Sequence, residues 1–424
     1  MTTKSSKEHF GIFTTFLLHL HPPMVDQRAI KFSRTFGLGG INALLFVILA
    51  ITGVLLRFTY MPSPELAYES ILSLQNHSLL GGLIRNIHHW SAKLMVITSF
   101  LHLLRVFYSQ SVFNERKRNW YYGLLLFALV LAFNFTGYLL PWDQLSYWAV
   151  TIVSNMPAYI PMLGDGLAHF IRGGDSVDGH TLLNFYNLHT AIFPLFFVVL
   201  VSLHFYLVRK AKGVTVTAQE DKKMVKVYPN LVIREALVGL ILVFIVMLLA
   251  IFFKAPLLDY ANPLLSPDPI KAPWYFAGMQ ELLIHIHPVL AVFIIPLGFV
   301  AFLIWIPFVG ISNPHIGQWF YSSKGKALMM HTSLGAAVFT FILILLLEYY
   351  IRPLSAHWPA LLSGLFPFIL YLITMGSLFL LLRTKYKANI NESIQSIFSM
   401  LISSYVVMSL VSIYLRGIHM ALIF

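Results

Sequence analysis

Nine long apolar runs dominate this chain, at approximately 36–58, 84–107, 119–140, 183–208, 232–253, 286–308, 327–350, 359–382 and 393–416. Each is long enough to cross the roughly 30 Å hydrocarbon core of a bilayer as a helix. Lipid offers the backbone no hydrogen-bond partners, so runs of this kind must satisfy their own amides as α-helices. The expected fold class is therefore all-α, a polytopic transmembrane helical bundle of about nine spans. Composition agrees: 58% of the residues are hydrophobic and 11% charged, a balance foreign to soluble domains. A net charge of +12 could suggest a nucleic-acid partner, but its distribution fits topology instead. With the N-terminus in the cytoplasm, most Lys and Arg fall in cytoplasmic connections, while acidic residues lean the other way. The expectation is a multi-pass protein of a bacterial cytoplasmic membrane, with no nucleic-acid partner. The aromatic stretch at 10–20 is too short to span and reads as an interfacial helix.

Two of the spans carry a histidine near each end. From His88 to His102 is 14 steps, and from His189 to His204 is 15. At about 100° per residue, 14 steps return a side chain to within roughly 40° of its start, and 15 to within roughly 60°. Each helix thus shows two histidines on one face, about 21 Å apart along the axis. Set antiparallel, the helices form two stacked pairs, His88 with His189 and His102 with His204. Two neutral imidazoles are the ligand set of a six-coordinate haem iron. His89 points about 140° away from His102 and is read as a neighbour of the ligand. Arg85 and Arg105 flank the pairs, where a guanidinium could meet haem propionates. Gly39 and Gly53 in the first span, and Gly123 and Gly137 in the third, repeat the 14-step spacing and would let backbone approach a flat ring. Without cysteine, the chain can hold neither a thioether-linked haem nor an iron–sulfur cluster on thiolates of its own.

Three connections stand out. After Pro141 ends the third span, an aromatic stretch and a long loop at 143–182 follow. Between spans five and six, the proline-rich segment 262–281 includes Pro267-Asp268-Pro269 and Pro273-Trp274-Tyr275 and makes a rigid loop. The connection 209–235 is basic, as topology requires of a cytoplasmic segment.

With these residues in view, the chain resembles the cytochrome b subunit of Rieske/cytochrome b quinol-oxidising complexes. Arg85-x-x-His88, His102 with Arg105, both glycine pairs, Gly137-Tyr138-x-Leu140-Pro141-Trp142 and Leu188-His189 with His204 carry the likeness. The 15-residue spacing and Phe185-Tyr186-Asn187 are closer to the chloroplast type. The resemblance implies a four-helix bundle at 36–210 holding two non-covalent b haems. A cytoplasmic N-terminal segment at 1–35 would precede it, and a region of about five spans at 211–424 would follow. It also implies a quinol site on the outer side at Trp274 and Tyr275 and an inner quinone site near Arg209 and Glu235. The partners implied are a Rieske iron–sulfur protein and a cytochrome c-type subunit or acceptor, in a dimeric complex. Quinol would be oxidised outside, with electrons carried to an inner quinone.

The chain departs from the family in three places. The chloroplast type's haem-attaching cysteine falls at Gly37. The ninth span exceeds the eight of the mitochondrial form. The family's proton-accepting glutamate is replaced, since the segment reads Ala272-Pro273-Trp274-Tyr275. Glu281, two helical turns beyond Trp274, is the expected substitute, with partial burial raising its pKa toward neutrality. Asp268 is expected to face solvent, and His331 and Glu348 to face the interface or a partner. Two other classes compete: a b-haem anchor of a dehydrogenase or hydrogenase, and a haem-free transporter using its histidines as a proton relay.

Overall fold

In a computed structural model, residues 23–214, 223–309, 317–354 and 359–423 are described; the interfacial helix expected at 10–20 lies outside them. Among the described residues, nine helices are long and apolar enough to cross a membrane. The spans are α1 (Leu38–Arg57), α3 (Gly81–Tyr108), α4 (Lys117–Leu139), α7 (Gly179–Lys210), α8 (Val227–Phe252), α10 (Leu290–Val309), α11 (Ser323–Ile351), α12 (Ala360–Thr384) and α13 (Ile390–Tyr414). Shorter helices lie between them: α2 (Pro64–His77), α5 (Gln144–Asn155), α6 (Gly164–Arg172) and α9 (Ala277–His285). One small sheet joins β1 (Met24–Asp26) antiparallel to β2 (Met224–Lys226).

Local chemistry sets several of these boundaries. Pro141 lacks the amide that would continue α4. Asp143 then starts α5 through a capping box, accepting from the Ser146 amide at 2.9 Å. Asp178 with Thr181 and Asn389 with Glu392 cap α7 and α13 in the same way. Gly37 precedes α1 at φ +66°, and a β-carbon there would lie 3.1 Å from Val238. A cysteine at that place would meet both a left-handed backbone and a crowded neighbour.

The connections gather on two faces. On one, the long-loop face, Tyr60 donates to the Leu140 carbonyl and Asp143 accepts from the Leu258 amide. The other is the basic face, where Arg34 donates to the Gly317 carbonyl and Arg234 to that of Ile30. α3 packs closely on α1 and α8, and α4 packs on α7, whereas α3 and α7 approach each other less closely. Between them sits a buried apolar layer that includes Leu45, Met95, Val96, Val130 and Phe197. In the second half of the chain, α13 packs along α11 and α9.

α7 is not a uniform α-helix. A π-turn spans Leu188–Ile192 and begins one residue before His189. A π-turn accommodates one extra residue. The 15 steps from His189 to His204 therefore turn through nearly the same angle as the 14 on α3, which removes the offset that uniform helix geometry predicts.

Candidate functional site

The four intramembrane histidines meet in two pairs. The His88 and His189 ring centres are 6.2 Å apart, and those of His102 and His204 are 6.4 Å apart. It is His88 whose ring faces His189, while His89 lies against Trp90 at 5.5 Å. A metal–imidazole bond is about 2 Å and the ring centre lies roughly 1.1 Å beyond the nitrogen. Two imidazoles on opposite sides of one iron thus stand roughly 6.3 Å apart between centres. Both pairs meet that distance.

The pair toward the long-loop face is held in one tautomer. Thr52 gives its hydroxyl proton to the Ile48 carbonyl at 2.7 Å, so at 2.9 Å from His88 Nδ1 its oxygen accepts. His189 Nδ1 lies 3.1 Å from the Phe133 carbonyl, which can only accept, and 3.3 Å from Thr136 Oγ1. Both rings therefore carry hydrogen on Nδ1 and present Nε2 lone pairs, the form an iron requires. On the basic face, Nδ1 of His102 and of His204 are buried without a hydrogen-bond partner among the described residues. His204 lies beside the Asn119 backbone without closing a bond.

Each glycine of the two pairs faces one imidazole. A β-carbon at Gly137 would lie 2.6 Å from His189 Cε1, and one at Gly53 3.3 Å from His88 Cε1. At Gly39 and Gly123 the corresponding distances, to His102 and His204, are 3.6 and 3.7 Å. Arg85 donates to the carbonyls of Ala255 and Pro256 at 2.8 and 2.6 Å, and Arg105 to that of Arg34 at 2.9 Å. Both guanidiniums thus tie the bundle to its loops. Lys93 sets its ammonium 4.8 Å from the Trp90 ring centre. On the basic face, Arg209 lies in the last turn of α7 and Glu235 is exposed on α8.

A cavity of about 440 Å³ opens on the long-loop face between Ile152 of α5 and Pro267, Asp268, Ile270 and Gln280 of the proline-rich segment, with Met420 closing one side. Gln280 pins that segment by donating to the Ile270 carbonyl at 2.6 Å and accepting from the Ala272 amide at 2.8 Å. Trp274 and Tyr275 follow in sequence and form a short 3-10 turn at Trp274–Phe276, outside the residues lining the cavity. Tyr275 packs against the apolar layer between the imidazole pairs. Burial, aided by the nearby Tyr138, pushes its hydroxyl far above the usual phenol range, so it stays protonated and is no base.

Glu281 requires a correction. It is fully buried, yet its pKa is lowered instead of raised. Burial pushes the carboxyl up, but hydrogen bonds and charge from His285 and Arg416 outweigh it. Arg416 binds it bidentately at 2.6 and 3.1 Å, and His285 Nε2 adds a contact at 3.0 Å. Glu348, expected to face the interface or a partner, instead pairs with Arg416 at 3.2 Å. Asp268 lines the cavity and is gripped by His419, through Nδ1 at 2.6 Å and the backbone amide at 2.7 Å. Sequence reasoning missed Arg416, His285 and His419. It also missed Thr52 and Thr136, although Thr52-Gly53 and Thr136-Gly137 repeat one dipeptide at matched positions.

Architecture and imidazole pairs define a class: a polytopic membrane protein with two facing histidine pairs inside its first helical bundle. Residues 26–212 match the family described as cytochrome b/b6/petB. Cytochrome b6 of Rippkaea orientalis is 43% identical over 173 residues, covering 41% of this chain and 78% of that protein. For cytochrome b6 of a Synechococcus the identity is 40% over 193 residues, covering 44% and 90%. The chain belongs to the cytochrome b/b6 family. It is accordingly a b-type haem protein of the membrane and a subunit of a quinol oxidoreductase complex. In fold the likeness extends to the whole chain: a chain of a hyperthermophilic respiratory Complex III superposes with a TM-score of 0.66 at 21% identity, covering 95% of this chain and 96% of that one.

Proposed function

We propose that this chain is the di-haem cytochrome b subunit of its complex, carrying electrons from quinol oxidised on the long-loop face to a quinone on the basic face. The observation that carries the reading is the pair of imidazole pairs, 6.2 and 6.4 Å between ring centres, on the same two helices. Residues 36–210 form the haem-binding bundle in this reading, and residues 211–424 bring the five-span region that carries the quinol-site loop. Bound between His88 and His189 and between His102 and His204, b haems supply one-electron relays stacked across the membrane. Thr52, Thr136 and the Phe133 carbonyl hold the first pair with Nε2 exposed toward the metal position.

Quinol binds on the long-loop face between α5 and the 262–281 loop, the loop that carries Trp274 and Tyr275. The Tyr275 hydroxyl, kept protonated by burial, is a donor for a quinone carbonyl. Arg209 and Glu235 stand at the second quinone site, where titratable groups deliver protons. The long-loop face is the outer side, with the basic connections in the cytoplasm of a bacterium. A Rieske iron–sulfur protein takes the other electron on the outer side, and a cytochrome c-type protein receives it, within a dimeric complex. The anchor alternative has no use for the cavity, and the transporter alternative none for imidazole pairs at iron-ligating distance. Quantifying haem as the pyridine haemochrome in purified protein tests the reading. Two b haems per chain are expected, and one or none overturns it.

A further inference from the structure

The family glutamate is replaced by Pro273, and Glu281 is committed to Arg416 and His285. Quinol oxidation still needs a base within reach of the hydroxyl. Among the residues lining the cavity, Asp268 alone has a titratable side chain. Its side chain is 39% exposed and its partner His419 is 86% exposed, so the pair joins the cavity to water.

The end of the ninth span builds this arrangement. His419 and Met420 both adopt φ +54°, the left-handed region that L-residues rarely enter. The tail holds that shape through Arg416, which donates to the Met420 carbonyl at 2.8 Å, and through the Gly417 amide on the Ala421 carbonyl at 2.9 Å. Lys271 of the loop donates to the Ile413 carbonyl at 2.7 Å and ties the cavity wall to the end of α13. The side chain facing Asp268 is thus that of His419, while Lys271 and Arg416 hold the loop and the tail on either side of it.

We infer that Asp268 is the proton acceptor for quinol in this cavity and that His419, delivered by the ninth span, is its positioning residue. The inference rests on the quinol-oxidising reading above. In the step, a quinol O–H bond breaks and its proton passes to a carboxylate oxygen of Asp268. The carboxyl then releases that proton to water at its exposed edge, which regenerates the carboxylate. The two electrons leave to one-electron acceptors, a b haem of this chain and an iron–sulfur partner, and quinone is formed once the second hydroxyl proton also reaches water. A carboxylate offers about four lone-pair sites, so the two held by His419 leave room for a substrate hydroxyl.

The test is steady-state duroquinol oxidation by membranes containing the full complex, with the dithionite-reduced b-haem spectrum recorded for every variant. Asp268→Asn should lower kcat about 100-fold with KM within about twofold and the haem spectrum unchanged. Asp268→Glu should recover at least about a tenth of the wild-type rate. Added formate should raise the rate of Asp268→Ala severalfold, which a purely structural role would not allow. His419→Ala should lower kcat about tenfold and leave KM in place. Wild-type turnover with Asp268→Asn within about twofold overturns the assignment while the functional reading stands. If Asp268→Asn fails to assemble, an unaltered kcat in His419→Ala overturns it. A wild-type complex that carries no b haem or does not oxidise duroquinol removes the functional reading and this inference with it.

Discussion

The two imidazole pairs share helices, spacing and ring separation, yet their surroundings differ. On the long-loop face both Nδ1 atoms are hydrogen-bonded, and the facing glycines leave almost no space. On the basic face both Nδ1 atoms lack hydrogen-bond partners among the described residues, and the glycines stand at ordinary contact distance. The first pair is oriented by hydrogen bonds within the chain; the second has none at Nδ1 among the described residues. A hydrogen-bonded Nδ1–H makes the imidazole a stronger donor to a metal, so two sites of the same ligand type need not be electronically equal.

The largest effect separates the pairs outright. His88→Leu should abolish the haem of the long-loop face and His102→Leu that of the basic face, each leaving the other, as read by haem quantitation with redox titration. Loss of haem in His89→Leu, with both haems kept in His88→Leu, would break the comparison at its root.

Next in size is the ionic cluster beside the long-loop site. Arg416→Met strands a buried Glu281 and should cost about 3–5 kcal/mol, seen as a lower thermal midpoint of the purified complex. The pH dependence follows from the lowered Glu281 pKa. A depressed carboxyl contributes stability above its unfolded value, about 4.3, and loses it as pH falls through the folded value. The contribution should be complete at neutral pH and disappear only below about pH 4. In Arg416→Met that acid-labile share of stability should be missing.

Third, Gly137→Ala should cost about 1–3 kcal/mol through overpacking against His189, with loss of the long-loop haem on detergent dilution. Gly123→Ala, facing His204 at 3.7 Å, should keep both haems. Equal effects at the two glycines would erase the distinction.

The smallest effect sharpens it. Thr52→Val removes the acceptor of His88 Nδ1 and should weaken retention of one haem about tenfold, with its potential moved upward. A potentiometric titration in which both haems shift, or neither does, would mean that the hydrogen bond is not what distinguishes the sites.

Much of this was legible in the chain itself. Apolar runs of spanning length admit only helices in lipid, so nine spans and the all-α class follow without tertiary information. Helix periodicity put His88 and His102 on one face. These readings succeed because their physics acts within a few residues. The π-turn at Leu188–Ile192 escaped notice because an extra residue inside an apolar run leaves its pattern intact. Glu281 failed as a free base for a different reason. Its carboxylate is governed by Arg416, 135 residues away, and Asp268 by His419, 151 residues away. In sequence, a lone arginine after an apolar span is indistinguishable from an interface anchor. Burial and charge pairing depend on which helix ends meet in space, and packing α13 along α9 and α11 was what brought these groups together.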